Sequence, residues 1–110
     1  MTTYFRGLET ITKIIKHDKY QQQLYDVIKE SYDFIYTNVP VYSKRNRIVA
    51  EIDILAYKNG FCDVFEIKCS HRITKAKKQL FKIQKLLEVS TQVRNLYFFC
   101  GISGELLPLT

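Results

Sequence analysis

No apolar run in this sequence of 110 residues approaches the roughly 20 residues that a helix needs to cross a bilayer. No charged-then-apolar segment opens it either. Both absences point to a soluble, intracellular protein, cytoplasmic in a cell or of viral or plasmid origin, with no membrane partner. Cysteine is scarce: Cys62, Cys69 and Cys100 are odd in number and lack Cys-x-x-Cys spacing. That excludes a disulfide framework and a zinc site of the usual kind, and the thiols are expected to be reduced. There is no internal repeat and no low-complexity segment. Acidic residues are in the minority, 11 against 17 Lys and Arg, and none occurs between Glu66 and Glu88.

What is present fits one globular domain over residues 1–110, with 46% hydrophobic and 14% aromatic residues available for a single core. The formal charge of +6 and pI near 9.3 favour a polyanionic partner, nucleic acid above an anionic membrane surface.

The stretch from Ala50 to Ser70 organises the chain. Ile48 to Lys58 alternates, setting Glu51, Asp53, Leu55 and Tyr57 on one side and Ile52, Ile54 and Ala56 on the other, which predicts a strand. Asn59-Gly60 then predicts a tight hairpin, because a primed turn needs positive φ at both central positions. Phe61 to Lys68 returns antiparallel, with Cys62, Val64, Glu66 and Lys68 on one face. Asp53 falls roughly opposite Glu66. Two carboxylates held that close shift each other's pKa strongly unless a cation lies between them. Oxygen ligands select a hard ion, Mg²⁺ or Mn²⁺, which can activate a bound water. Lys68, two residues beyond Glu66, would stand beside that water.

Asp53 followed thirteen residues later by Glu66-Ile67-Lys68, with the Asn-Gly hairpin between, resembles the D…E-x-K signature of the PD-(D/E)xK nuclease superfamily. The wording Glu51-Ile52-Asp53-Ile54 resembles its small archaeal Holliday-junction resolvases. The resemblance covers Val39 to Cys100. It implies metal held by Asp53, Glu66 and the Ile67 carbonyl, and Lys68 as catalytic base or charge stabiliser. It also implies a homodimer acting on DNA. Relatives with an iron–sulfur cluster use four cysteines, which this chain lacks. A plain reading of the same residues is cross-strand ion pairing on an exposed sheet face, worth about 0.2–1 kcal/mol. The apolar neighbours Val64, Phe65, Ile67, Ile52 and Ile54 argue instead for a buried sheet.

Upstream, Leu8, Ile11, Ile14 and Ile15, then Leu24, Val27, Ile28, Ser31 and Ile35, recur at helical spacing. This predicts two helices, or one bent at His17-Asp18-Lys19, over Tyr4 to Tyr36, with Asp18 capping the second and Asn38-Val39-Pro40 ending it. Val39 to Ser43 is then the first strand, and Lys44 to Arg47 a basic turn. The superfamily often adds a helix glutamate to its metal site. Glu30, Asp26 and Glu9 are the candidates here, and Glu30 lies nearer the edge of the apolar face than Asp26.

Downstream, Ile73, Ala76, Leu80, Ile83, Leu86 and Leu87 form an amphipathic stripe, with Ser70 as a candidate cap. Arg72, Lys75, Lys77, Lys78, Lys82 and Lys85 make a face of one sign, suited to phosphates together with Arg45 and Arg47. Gln79, at the border of the two stripes, resembles the polar residue that related nucleases place beside the metal. Asn95 to Cys100 predicts a buried strand and Glu105 to Leu109 a short edge strand stopped by Pro108. The order is ααβββαβ(β): an α/β sandwich on the restriction-endonuclease-like core αβββαβ, a mixed sheet flanked by helices, with an extra N-terminal helix. Tyr20, Tyr25, Tyr32, Tyr36 and Tyr42 cluster ahead of the site, as core-closing residues or as a base-stacking or subunit surface. His17 and His71 are lone histidines, and His71 is near enough in sequence to touch a phosphate.

The expectation is a metal-dependent DNA endonuclease, selective for branched DNA such as Holliday junctions. Its rivals are an exonuclease or restriction-type enzyme, a non-catalytic nucleic-acid-binding module on the same fold, and a purely structural viral or plasmid protein.

Overall fold

A computed structural model describes the backbone of residues 2–109 and the side chains from Ile14 to Leu109. Helix α1, Thr2–Ile28, leads through a 3-10 turn, Lys29–Ser31, into strands β1 (Phe34–Tyr42), β2 (Ile48–Lys58) and β3 (Phe61–Lys68). Helix α2 (Ile73–Leu87) crosses to β4 (Gln92–Cys100), and β5 (Glu105–Pro108) follows. The five strands form one mixed sheet in sequence order. Only β3 and β4 run parallel, which is why a helix joins them where a hairpin joins the others.

The Asn-Gly turn forms as its chemistry dictates: Asn59 and Gly60 both have positive φ, 52° and 82°, and Lys58 pairs with Phe61. Helix α2 keeps the bounds set by its stripe and buries Ala76, Leu80 and Ile83. Its N-cap is Arg72 and no side chain caps it. Ser70 contributes its carbonyl to the Arg72 N–H instead of its hydroxyl, at 2.9 Å.

The first helix departs from expectation. It is continuous through His17-Asp18-Lys19, so Asp18 caps nothing, and it stops at Ile28. Phe34 to Tyr36 are strand, paired with Tyr57 to Leu55. The aromatic and β-branched run Phe34-Ile35-Tyr36-Thr37 suits a sheet, and a partner strand twenty residues on outweighs a local helical periodicity. Pro40, which looked like a terminator, sits within β1 because an edge strand tolerates a missing N–H.

The core has two layers. On one side of the sheet Ala76, Leu80 and Ile83 of α2 pack on Val41, Ile52, Leu55, Val64 and Phe98. On the other, Leu24 and Ile28 of α1 pack on Ile54, Ala56, Phe65, Ile67 and Phe99. Tyr20, Tyr25 and Tyr32 close this second layer, whereas Tyr36 and Tyr42 are exposed.

Ile52 lies in the α2 layer and Ile54 in the α1 layer, so β2 does not keep one alternation through Asp53. β1 makes the same exchange, with Ile35 in the α1 layer but Val39 and Val41 in the α2 layer. The pivot is Asn38, whose φ of 53° lies in the left-handed region that asparagine tolerates. Asn38 stands opposite Asp53, between the pairs Thr37↔Ile54 and Val39↔Ile52.

Candidate active site

The β2–β3 ladder runs from Lys58↔Phe61 to Ile54↔Phe65 and ends there. The next pair would be Asp53 and Glu66, and at this point side chains replace the ladder. Asp53 Oδ2 accepts the Ile67 N–H at 2.8 Å, a donor that β2 backbone would otherwise have satisfied. The Asp53 carbonyl accepts Gln21 Nε2 of α1 at 2.7 Å, and the same amide donates to Asn38 Oδ1 at 3.1 Å. His17, one turn before Gln21, brings Nε2 to 3.3 Å from Asp53 Oδ2. Helix α1 thus grips both strands at the inversion.

Glu66 is 2% exposed. Lys68 Nζ lies 3.2 Å from its Oε1, while its Oε2 is buried with no hydrogen-bond partner. Burial first, and then the negative charge of Asp53, push the Glu66 carboxyl up to about 8 against the opposing pull of Lys68. The His17 imidazole is also raised, because its hydrogen bond to Asp53 outweighs burial. A cleft of about 620 Å³ opens beside this cluster, lined among others by His17, Asn38, Glu51, Ile67, Lys68 and Arg72. Lys68, Ile67 and His17 line the cleft, whereas Asp53 and Glu66 are buried.

Asp53, Glu66, the Ile67 backbone and Lys68 are therefore brought together, and Arg72 stands at the rim. Glu30 is not with them: it is exposed on the 3-10 turn, beside the end of the sheet where the Asp33 N–H meets the Tyr57 carbonyl. The reason is the early stop of α1, which leaves Glu30 beyond the helix it was projected on. Asp26 is exposed and paired with Gln22 and Lys29. The side chain of Glu9 lies outside the described residues. Gln79 is half-buried on α2, and among the described residues no hydrogen bond joins it to Asp53, Glu66 or Lys68.

Lys75, Lys78, Lys82 and Lys85 of α2 are exposed, as are Arg45 and Arg47 in the β1–β2 turn. Lys82 Nζ donates to the Val49 carbonyl at 2.6 Å, tying the basic helix to the strand that leaves this turn.

Sequence reasoning missed His17, Gln21 and Asn38. The signal was faint but present: His17 and Gln21 continue the spacing of Leu24 and Ile28, two polar residues on an otherwise apolar stripe.

Among the described residues no group of three or more His, Cys, Asp and Glu side chains is assembled to hold a metal ion. Compared with known proteins, the chain matches no family model and no curated sequence.

Proposed function

We propose that the chain is a metal-dependent DNA endonuclease that hydrolyses phosphodiester bonds, on the restriction-endonuclease-like αβββαβ core of the PD-(D/E)xK superfamily. One observation carries this reading: a buried carboxylate, Glu66, with one unpartnered oxygen, beside a second carboxylate and a lysine. A solvated cross-strand ion pair leaves no such orphan, and an acid raised to about 8 is unstable as an anion without a further cation. The donor set suits Mg²⁺ or Mn²⁺, which is commonly held by one or two carboxylates and keeps several waters.

In this reading Asp53, Glu66 and the Ile67 carbonyl hold the ion. Once bound, the ion supplies Lewis acidity and a water acidic enough to attack phosphorus. Lys68 faces the cleft, orients the attacking water or serves as its base, and offsets the charge that develops on the phosphoryl oxygens. The Asp53 bond to the Ile67 N–H fixes the geometry of both strands at the reacting centre. Arg72 and His17 at the cleft wall meet the phosphate, while Lys75, Lys78, Lys82, Lys85, Arg45 and Arg47 track the DNA backbone. A domain this small reads DNA shape more readily than sequence. A homodimer acting on branched DNA such as a Holliday junction fits that surface and allows two strands to be cut.

The test is cleavage and binding, recorded together, on four-way-junction, plasmid and linear DNA with Mg²⁺, Mn²⁺ or EDTA. Wild type is expected to cut only with metal, and Glu66→Ala and Lys68→Ala to bind without cutting. Unchanged cleavage by either variant rejects the assignment. Binding without cutting by wild type under every condition makes the chain a DNA-binding module instead.

A further inference from the structure

We propose that Phe81, on the outward face of α2, is a stacking platform for an unpaired base, so that the basic surface takes single-stranded or unpaired stretches of DNA in preference to continuous duplex. The inference rests on the reading of that surface as a DNA interface and deepens it, by naming the feature of branched DNA that the chain would recognise.

The starting point is where the ring stands. Helix α2 turns Ala76, Leu80 and Ile83 into the sheet. At about 100° per residue, Phe81 projects roughly 130° from the middle of that stripe, in the sector between Lys77 and Lys85. Phe81 is 45% exposed, and among the described residues it joins neither core layer. Besides Thr74, every other exposed residue of α2 is a lysine. A single exposed phenylalanine is ordinary on a protein surface. One set within a face of a single charge places two demands on whatever covers it: negative charge for the lysines and a flat apolar surface for the ring. Nucleic acid is a polyanion that carries a flat π face beside every charge, and base stacking on an aromatic side chain is indifferent to sequence.

The ring also has room beside it. A shallow hollow of about 580 Å³ is lined by Phe81, Lys82, Gln84 and Lys85. The Gln84 amide can both donate to and accept from a base edge, and the two ammonium groups suit the flanking phosphates. Lys82 Nζ already donates to the Val49 carbonyl at 2.6 Å, which holds it in place and leaves its other N–H groups free for an anion. In a continuous duplex each base is covered on both faces by its neighbours, so the ring can reach only a base that has left the stack, in a single strand or at a branch point. Phe81 lies nine residues beyond Arg72 at the cleft rim, roughly 14 Å along the helix axis. A strand with one phosphate in the cleft therefore needs only a few nucleotides to reach it.

The experiment uses the full chain in EDTA, so that binding is read without cutting. Affinity for a labelled oligothymidylate and for a mixed-sequence duplex of the same length is followed by fluorescence anisotropy over a salt series. Stacking is read from a fluorescent purine analogue placed within the single strand. Wild type is expected to bind the single strand more tightly than the duplex and to quench the analogue. In Phe81→Ala and Phe81→Leu the quenching should vanish and single-strand affinity fall by about tenfold, with less than about a twofold loss on duplex. The salt slope should stay as in wild type, because no charge is lost, and Phe81→Trp should bind as wild type does. Single-strand affinity unmoved in Phe81→Ala, wild-type binding by Phe81→Leu, or an equal loss on both forms of DNA overturns the stacking role and leaves the basic interface standing. A dimer that Phe81→Ala dissociates, with single-strand affinity intact, gives the ring to a second copy of the chain and overturns it too. Failure of wild type to bind any DNA overturns both readings.

Discussion

Two buried acids on β3 differ in how fully their charge is answered. Asp63 is fully buried and fully answered: Arg94 donates to both its oxygens at 3.2 and 2.7 Å, and the Tyr32 hydroxyl and Asn95 N–H add further bonds. Burial alone would raise its pKa, but the bonds from Arg94, Tyr32 and Asn95 outweigh it and hold the carboxyl below its ordinary value. Glu66, three residues on, has one amine and one empty oxygen. The signs of their pH effects are opposite. Asp63 contributes stability above its unfolded pKa, near 3.8, and loses it as pH falls through its lower folded value. Asp63→Ala should cost about 2–3 kcal/mol in neutral urea melts, a difference that closes in strong acid. Glu66 has a folded pKa above its unfolded 4.5, so the folded state holds the extra proton and metal-free stability falls as pH rises from about 4.5 to about 8. Glu66→Gln should flatten that slope and stabilise the metal-free protein above pH 8 by on the order of a few kcal/mol, while removing the Mn²⁺-induced rise in Tm. A melting curve of the variant that tracks wild type at every pH would contradict this.

At the scale of elements, what was legible depended on how local the cause is. The hairpin was written in Asn59-Gly60, and α2 in a stripe that no distant strand competes for. The end of α1 was not legible, because Ile35 satisfies a helical period and a strand equally, and pairing with Ala56 decides between them. The inversion at Asp53 escaped a period-two reading for a related reason. It depends on a left-handed Asn38 and an amide from Gln21, fifteen and thirty-two residues away from Asp53. His17 was missed because its partner lies thirty-six residues on. Helix α1 is in turn seated by Gly101, where an added Cβ would collide with the ring of Tyr20. Gly101 also donates its N–H to the Lys68 carbonyl at 2.8 Å, so the seat adjoins the site. Gly101→Ala should therefore destabilise by about 1–3 kcal/mol and weaken Mn²⁺ binding, as α1 carries His17 and Gln21 outward. Unaltered Mn²⁺ affinity in this variant would show that α1 does not set the site.

Across the whole molecule, the basic surface and the proposed active site are separate. The excess positive charge gathers on α2 and the β1–β2 turn, and the carboxylates proposed to hold metal sit where β2 and β3 part. No described helix is long and apolar enough to cross a membrane. Lys75→Glu with Lys78→Glu should weaken DNA binding and lower the slope of log affinity against log salt by roughly one per lost phosphate contact, without touching Mn²⁺ affinity. An unchanged salt slope would remove α2 from the interface.

The most direct test of the shared-ion claim is an anomalous difference map from crystals of the full chain grown with Mn²⁺. The account predicts a peak within about 2.3 Å of a carboxylate oxygen of both Asp53 and Glu66, with Lys68 beside it. A peak bound by only one of those residues, or Mn²⁺ ordered elsewhere on the protein and absent from both, would contradict it.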